Sequence, residues 1–312
     1  MVPDSKCQFM DCPAPFTRAP RCDGNGGVPH DSLGLAPPSL QGALIALIGR
    51  DTSRAALDAA QRLSHFPASP MVTLSWYHGM DVGLVEPGDA RRGWRPFGAS
   101  VLLAGSQTHP LVTWAPTTGR GYIACFAPDA AQLLFGVDLA AIQDRFAPAH
   151  ELLGSEWTPL WDALLAAGDE TAAMAALERF LAPRWRAVCG GGSALLSLRQ
   201  FGRHWVEKLV WQAHDWHRTR SPRQVERRIK SFSGRSLRQW QALTRTEGLF
   251  FAARDCYESG RELDWATLAL DEGFADQSHM SRAARQISGF APNEFAKRFI
   301  EDESFWVYRL WV

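Results

Sequence analysis

The stretch "DWATLALDEGFADQSHMSRAARQISGFAPNEFAKRF", Asp264 to Phe299, carries a helix-spaced apolar pattern that a Gly-Phe pair interrupts twice. Trp265 and Leu268 lie on one face of a short helix, and Gly273 can take the left-handed conformation that closes a helix. Asp276 is placed to cap a second helix directly after the turn. The pattern therefore predicts a helix-turn-helix unit.

The second helix of this unit is amphipathic. Met280, Ala284 and Ile287 recur at i, i+4 and i+7 and form its inward stripe. Its polar side chains are the candidate DNA contacts, namely Gln277, Ser278, His279, Ser281, Arg282 and Arg285. His279 is interpreted as a structural or phosphate-contacting residue, because no nucleophile or metal partner follows it at helical spacing. Arg285 fits a phosphate contact and a solvated surface charge equally well.

The upstream stretch "RSPRQVERRIKSFSGRSLRQW", Arg220 to Trp240, repeats this pattern. Pro222 suits the first turn of a helix whose inward stripe includes Val225 and Ile229. In a major groove, Arg side chains can pair with guanine and Gln side chains with adenine. The candidate DNA contacts of this first unit are Ser221, Arg223, Gln224, Arg227 and Arg228.

Between the two units, Ser236 to Ser259 has helical spacing over about 20 residues, which spans roughly 30 Å. One turn of duplex DNA is about 34 Å, so the two reading helices can enter successive major grooves on one side of the DNA.

Together, "RSPRQVERRIKSFSGRS" and "ALDEGFADQSHMSRAARQISGFAPNEF" resemble the DNA-binding module of the AraC/XylS transcription regulators. The resemblance covers about the last third of the chain. It implies binding of double-stranded DNA, contact with RNA polymerase, and a first domain that senses a small-molecule effector or forms a homodimer. Two departures are Ala284, where the family usually has an aromatic residue, and the polar segment "QAHDWHRTR" before Ser221.

Composition is that of a globular protein, with 312 residues, 46% apolar and 21% charged. The net charge of zero conceals an asymmetry, because residues 201–300 hold 17 Lys and Arg against 12 Asp and Glu. That basic balance favours a polyanionic partner, although solvated helix faces explain it equally well.

The longest apolar run, Gly42 to Gly49, is too short to span a membrane, and the first residues lack a secretory pattern. We therefore expect a cytoplasmic protein without a membrane partner.

The sequence predicts an α+β protein, with an N-terminal small β-barrel or sandwich plus helices and a C-terminal all-α domain of two helix-turn-helix units. Short β-branched and aromatic runs predict strands at residues 71–77, 82–87, 99–105, 110–116 and 121–128. Ala- and Leu-rich runs predict helices near residues 129–136, 138–146, 156–168 and 170–187. The predicted segments are a disordered leader (1–40), a sensing or dimerisation domain (41–188), a Gly-rich linker (189–195), the DNA-binding domain (196–302) and a tail (303–312).

Three enzymatic or metal-binding alternatives stay open at this point. Cys7, Cys12 and Cys22 could be read as a metal site, but their spacing is loose and no fourth ligand is obvious. A cupin-like enzyme would need metal ligands in the barrel, and His78, Glu86 and His109 are the plausible set. An alkylation-repair protein would need a four-cysteine framework that the leader lacks. The favoured interpretation has no catalytic residue, no metal and no cofactor.

Overall fold

A computed structural model describes residues 12–22, 27–86, 93–189, 198–261 and 264–311. The chain is an α+β protein in which an N-terminal antiparallel β domain precedes a helical domain. The strands are β1 His30–Leu35, β2 Leu44–Asp51, β3 Leu63–Phe66, β4 Val72–His78, β5 Gly83–Glu86, β6 Gly93–Pro96, β7 Val101–Ala104, β8 Leu111–Trp114, β9 Arg120–Phe126 and β10 Phe146–Pro148. The helices are α1 Pro128–Phe135, α2 Ala149–Leu152, α3 Thr158–Ala166, α4 Glu170–Cys189, α5 Leu198–His217, α6 Pro222–Ser233, α7 Leu237–Glu258, α8 Trp265–Asp271, α9 Gln277–Ser288, α10 Pro292–Glu301 and α11 Trp306–Trp311.

The β domain consists of two antiparallel sheets. One has six strands in the order β1-β2-β9-β4-β7-β10, and the other has four in the order β3-β8-β5-β6. Neighbouring strands stabilise the sheets through cross-strand side-chain pairs. Trp76 on β4 lies opposite Tyr122 on β9, and the two rings stack with centroids 5.4 Å apart. Inward side chains of both sheets, such as Phe66 and Ile123, face the same interior space.

The five predicted strands and three of the four predicted helices of the first domain are confirmed. The predicted helix at residues 138–146 is wrong. That segment forms turns that lead into β10, and Asp144 has a positive φ of 55°, which an α-helix does not accommodate. The Asp144 carboxylate instead accepts hydrogen bonds from the backbone N–H and the hydroxyl of Thr108.

The prediction of a disordered leader over residues 1–40 is wrong for residues 12–22 and 27–40, and the rest lies outside the described residues. Strand β1 pairs with β2 along its whole length, and Ala19 is fully buried. The guanidinium of Arg298 donates to the carbonyl of Phe16, at 2.7 Å. Backbone pairing and long-range contacts therefore order a segment whose own apolar content is low.

The predicted tail comprises residues 303–312, and its residues 303–310 pack against the β domain. Phe305 and Trp306 are buried, and the indole N–H of Trp306 donates to the hydroxyl of Ser64, at 2.8 Å. Arg50 bonds Asp31 at 3.0 Å and Glu303 at 2.8 Å. Glu303 therefore ties the carboxyl segment to the first two strands.

One apolar core runs from the β domain into the helical domain. It includes Trp76 and Phe126 of the sheet, Trp205 of α5, and Trp240 and Leu243 of α7. The predicted Gly-rich linker lies outside the described residues apart from Cys189, the last residue of α4. Among the described helices, none has the length and apolar character of a membrane span.

Candidate nucleic-acid interface

The second helix-turn-helix unit consists of α8 and α9. Gly273 has a φ of +73° and ends the first helix as predicted. The carboxylate of Asp276 accepts a hydrogen bond from the backbone N–H of His279 at 2.7 Å, which caps α9. Met280 and Ala284 are fully buried and hold the inward face of α9 in place. This packing decides which side chains point outward.

Five of the six predicted residues on α9 are exposed to solvent. They are Gln277, Ser278, His279, Arg282 and Arg285, while Ser281 is half-buried. His279 packs edge-on against the ring of Phe274, with centroids 5.5 Å apart, so it has a structural contact in the turn as well. The sequence of α9 contains two Arg and no Asp or Glu, which leaves a basic face.

The first unit consists of α5 and α6. Ser221 and Gln224 form a reciprocal capping box, with hydrogen bonds of 3.0 Å and 3.4 Å between side chain and backbone. The side-chain oxygen of Gln224 accepts one of these bonds, so its amide nitrogen retains two donors for a ligand. Buried Val225 and Ile229 set the phase of the helix, as the sequence predicted.

The cations of α6 differ in what they contact. Arg223 and Arg227 are exposed, and among the described residues neither forms an ion pair. The guanidinium of Arg228 lies 4.6 Å from the ring centroid of Trp216 on α5, so Arg228 helps to hold the two helices together. Glu226 is also exposed and is the acidic residue of an otherwise basic helix.

Helix α7 connects the two units. Its 22 residues span about 33 Å at 1.5 Å per residue. Helix α6 packs against α5 and α7, and α9 packs against α7 and α8. Each set of predicted contact residues is therefore presented by its own capped helix on a shared spacer.

The carboxyl ends of the two reading helices share a feature that the sequence interpretation missed. At each end a serine hydroxyl donates to the carbonyl four residues earlier, at 2.8 Å for both Ser233 and Ser288. The following glycines, Gly234 and Gly289, have φ of +80° and +84°. The repeated Ser-Gly pair, 55 positions apart, is the signal that could have revealed this repeat.

Both of these ends contact the β domain. The guanidinium of Arg235 donates to the carbonyl of Gln107, at 3.0 Å. The backbone N–H of Ala68 donates to the carbonyl of Ile287, at 2.9 Å. A cavity of about 630 Å³ with polar and apolar side chains in its wall lies in this region, and its lining includes His109 and Lys230. The β domain thus holds both reading helices at the ends opposite their capped, exposed starts.

The candidate metal ligands of a cupin-like enzyme, His78, Glu86 and His109, do not form a cluster in the structure. Glu86 pairs with Arg95 at 2.8 Å, and His109 bonds the hydroxyl of Thr108 at 2.8 Å. Across the residues that the structure describes, no three His, Cys, Asp or Glu side chains are grouped to hold a metal ion. Of the leader cysteines, Cys7 lies outside the described residues.

No family model and no curated protein matches the sequence. Solved structures of ToxT from Vibrio cholerae are similar to the chain. An apo point variant from strain SCE256 is 12% identical and aligns over 75% of this chain and 93% of its own, with a TM-score of 0.37. ToxT from V. cholerae O395 is 10% identical over 77% and 97%, with a TM-score of 0.35. Unsaturated fatty acid bound wild-type ToxT is 11% identical over 77% and 94%, with a TM-score of 0.34. Values this low do not establish a family for the chain.

Proposed function

We propose that the chain is a sequence-specific transcription regulator that binds double-stranded DNA through two helix-turn-helix units. The observation that supports this proposal is the pair of capped helices, α6 and α9, whose exposed faces hold Arg, Gln and Ser and which pack against one continuous spacer helix, α7. The exposed Arg side chains of these helices can contact a phosphate backbone, and their Gln and Ser side chains can contact base edges. The proposal includes a cytoplasmic, non-enzymatic protein that acts on RNA polymerase as a homodimer.

The proposal extends to modulation by a small molecule in the β domain. Two small cavities, of about 60 and 80 Å³, lie between the sheets and have Phe66, Tyr77 and Ile123 in both linings. Trp306 borders one and Val307 the other, so the carboxyl segment closes part of this space. A ligand that displaces these side chains would change contacts between the β domain and the helices that carry the reading faces.

Two arginine substitutions test the DNA-binding proposal. A duplex target is first selected from random-sequence DNA with the full chain. Arg282→Ala and Arg227→Ala should each weaken binding to that target by roughly 1 to 3 kcal/mol if they contact a base. If they contact a phosphate instead, the slope of the logarithm of the DNA-binding constant against the logarithm of salt concentration should become shallower by about one unit. Binding isotherms over a salt series, with footprints for each variant, measure both effects.

Arg186→Ala is the matched control, because Arg186 is an exposed arginine on α4, away from both reading helices. It should leave binding and footprint unchanged. Thermal melts should show intact folding for all three variants, since exposed arginines contribute little to stability. Failure to select any target, or unchanged binding by both reading-helix variants, would refute the proposed docking.

A further inference from the structure

The cavity of about 630 Å³ lies where the β domain meets the ends of both reading helices and the start of the spacer helix α7. The connection between α6 and α7 contributes three cations to its wall, namely Lys230, Arg235 and Arg238. Asp144 belongs to the β domain and Gln286 to the end of α9. None of the predicted DNA contacts lines this cavity. A molecule bound here would therefore touch the β domain and both helix-turn-helix units.

Arg235 is the buried cation of this wall. It is 7% exposed, and among the described residues its guanidinium donates only from Nη2, to the carbonyl of Gln107. The Nε and Nη1 groups are not among the fully enclosed polar atoms without a partner, so they keep accessible surface at the cavity. The ring of Trp240 lies 5.2 Å from the guanidinium carbon and offsets part of the desolvation. Charged groups are almost never buried without a partner of opposite charge, so this arginine favours an anion in the cavity.

The charges of the wall do not cancel. Lys230 and Arg238 are exposed, and neither forms an ion pair with a described residue. Burial lowers the pKa of the Arg235 guanidinium and the charge of Asp144 raises it, yet these two side chains form no ion pair. His109 aside, the lining therefore holds three cations and one anion. The amino end of α7 opposes the carboxyl ends of α6 and α9 in dipole sign, so the side chains decide the sign of the local charge. A ligand with two negative charges would neutralise the wall.

The elements that carry these charges separate two kinds of dianion. All three cations come from residues 230–238, whereas Asp144 lies in the β domain with the neutral side chains of Thr108 and Gln143. A dicarboxylate has a charge at each end, so one end would approach Asp144 when the other binds the cations. A phosphate monoester carries about two charges on a single group, which Arg and Lys side chains both bind. The wall therefore favours a phosphate monoester with a neutral body.

The neutral part of the wall suits hydroxyl groups. The side-chain oxygen of Gln239 accepts from the backbone N–H of Ser236 at 2.9 Å, so its amide nitrogen keeps two donors. Gln286 and Thr108 also line the cavity, whose volume is within the roughly 300 to 1,000 Å³ of small-molecule sites. We propose that this cavity binds a phosphorylated sugar or polyol, with the phosphate on the α6–α7 connection and the hydroxyls on the amide side chains. This binding is separate from the space between the sheets and does not require DNA.

Calorimetry on the full chain, without DNA, compares four probes. Glucose 6-phosphate has the phosphate and a hydroxylated body, glucose lacks the phosphate, inorganic phosphate lacks the body, and succinate separates its two charges. Glucose 6-phosphate should bind at least about tenfold more tightly than each of the others, because charge-assisted hydrogen bonds and contacts of the body add together. Equal binding of glucose would overturn the role of the cations, equal binding of succinate the phosphate class, and equal binding of inorganic phosphate the hydroxylated body. If neither glucose 6-phosphate nor glycerol 3-phosphate binds up to about 10 mM, the proposal is wrong.

Two matched pairs of variants test the location. Lys230→Gln and Arg238→Gln remove cations of the wall and should each reduce glucose 6-phosphate affinity about tenfold. Lys297→Gln on α10 and Arg186→Gln on α4 remove exposed cations outside the cavity and should leave affinity within about twofold. All four side chains are exposed, so thermal melts should show intact folding. Equal losses in lining and control variants, or no loss in either lining variant, would place the phosphate elsewhere and overturn the proposal.

Asp144→Asn tests the arrangement of charge with a gain rather than a loss. Asn tolerates the positive φ of 55° at this position and keeps an oxygen that can accept from Thr108. Removing the one opposing charge should raise glucose 6-phosphate affinity about threefold and succinate affinity by a larger factor. Asp138→Asn makes the same change at an exposed position outside the cavity and should change neither affinity. An unchanged or lower affinity for glucose 6-phosphate in Asp144→Asn would overturn the proposed position of the ligand.

Discussion

The two helix-turn-helix units begin alike and end differently. Each reading helix starts at a side-chain cap and ends at a serine and a left-handed glycine, yet the residue after that glycine is Arg235 in the first unit and Phe290 in the second. Arg235 reaches the carbonyl of Gln107 and lies over the ring of Trp240, at 5.2 Å. Phe290 packs edge-on against His65, at 5.2 Å. The same Ser-Gly helix end is therefore followed by a polar anchor, Arg235, in the first unit and by an apolar anchor, Phe290, in the second.

Because the two anchors differ in chemistry, we expect Arg235 and Phe290 to stabilise the folded chain to different extents, and the stability around the two units to respond differently to pH. An apolar anchor contributes through burial, whereas a buried arginine must offset its own desolvation. Burial and the nearby Arg298 charge lower the pKa of His65 to about 3. The unfolded chain takes up that proton below about pH 6.5, so acid weakens the contact of the second unit. Near the first unit, Glu247 faces Gly202 of α5 and responds in the opposite direction.

The largest effect is expected from Phe290→Ala. Phe290 is 5% exposed and also contacts the rings of Phe16 and Phe305. Its truncation should lower the free energy of unfolding by about 3 to 5 kcal/mol, measured by urea denaturation of the full chain. Leu270→Ala is the control, because Leu270 is 68% exposed on α8. A loss below about 1 kcal/mol for Phe290→Ala would show that the second unit is not anchored there.

Arg235→Met should have a smaller effect. The substitution keeps an unbranched apolar stem against Trp240 but removes the charge-assisted bond to the carbonyl of Gln107. The free energy of unfolding should fall by roughly 1 to 3 kcal/mol in the same denaturation experiment. Arg238→Met, an exposed arginine on the next turn, serves as the control and should change little. If Arg235→Met and Arg238→Met lower the free energy of unfolding by the same amount, Arg235 does not anchor the first unit to the β domain.

The smallest of the three effects is a change in the free energy of unfolding of about 1 kcal/mol between pH 7 and pH 8. The pKa of the Glu247 carboxyl is about 8 in the folded chain, against an ordinary value of 4.5. Between pH 4.5 and pH 8 the folded chain therefore keeps a proton that the unfolded chain has released. Its contribution to stability is present below pH 4.5 and is lost as pH rises through 8, by about 1 kcal/mol between pH 7 and 8. Glu247→Gln should remove this slope in urea titrations, whereas Glu258→Gln should not. A slope that persists in Glu247→Gln would assign it to another group.

Local pattern was sufficient for the reading helices, because their caps, glycine ends and apolar spacing lie within a few residues of each other. Ser221, Asp276 and Gly273 occupy the predicted positions for that reason. Strand β1 could not be predicted in this way, since its order comes from pairing with β2 rather than from its own apolar content. The anchors Arg235 and Phe290 were missed because their partners are more than a hundred positions away in the chain. Whether the exposed faces read DNA stays a prediction.

The ion pair between Arg50 and Glu303 joins residues 253 positions apart and has a consequence for biosynthesis. At about 5 to 20 residues per second, a ribosome adds the second partner roughly 10 to 50 s after the first. Throughout that interval the emerging sheet lacks Trp306, so the surface around Ser64 and Phe66 stays uncovered. Apolar surface exposed in this way makes a nascent chain prone to aggregation. The sheet is covered only after the helical domain has been made.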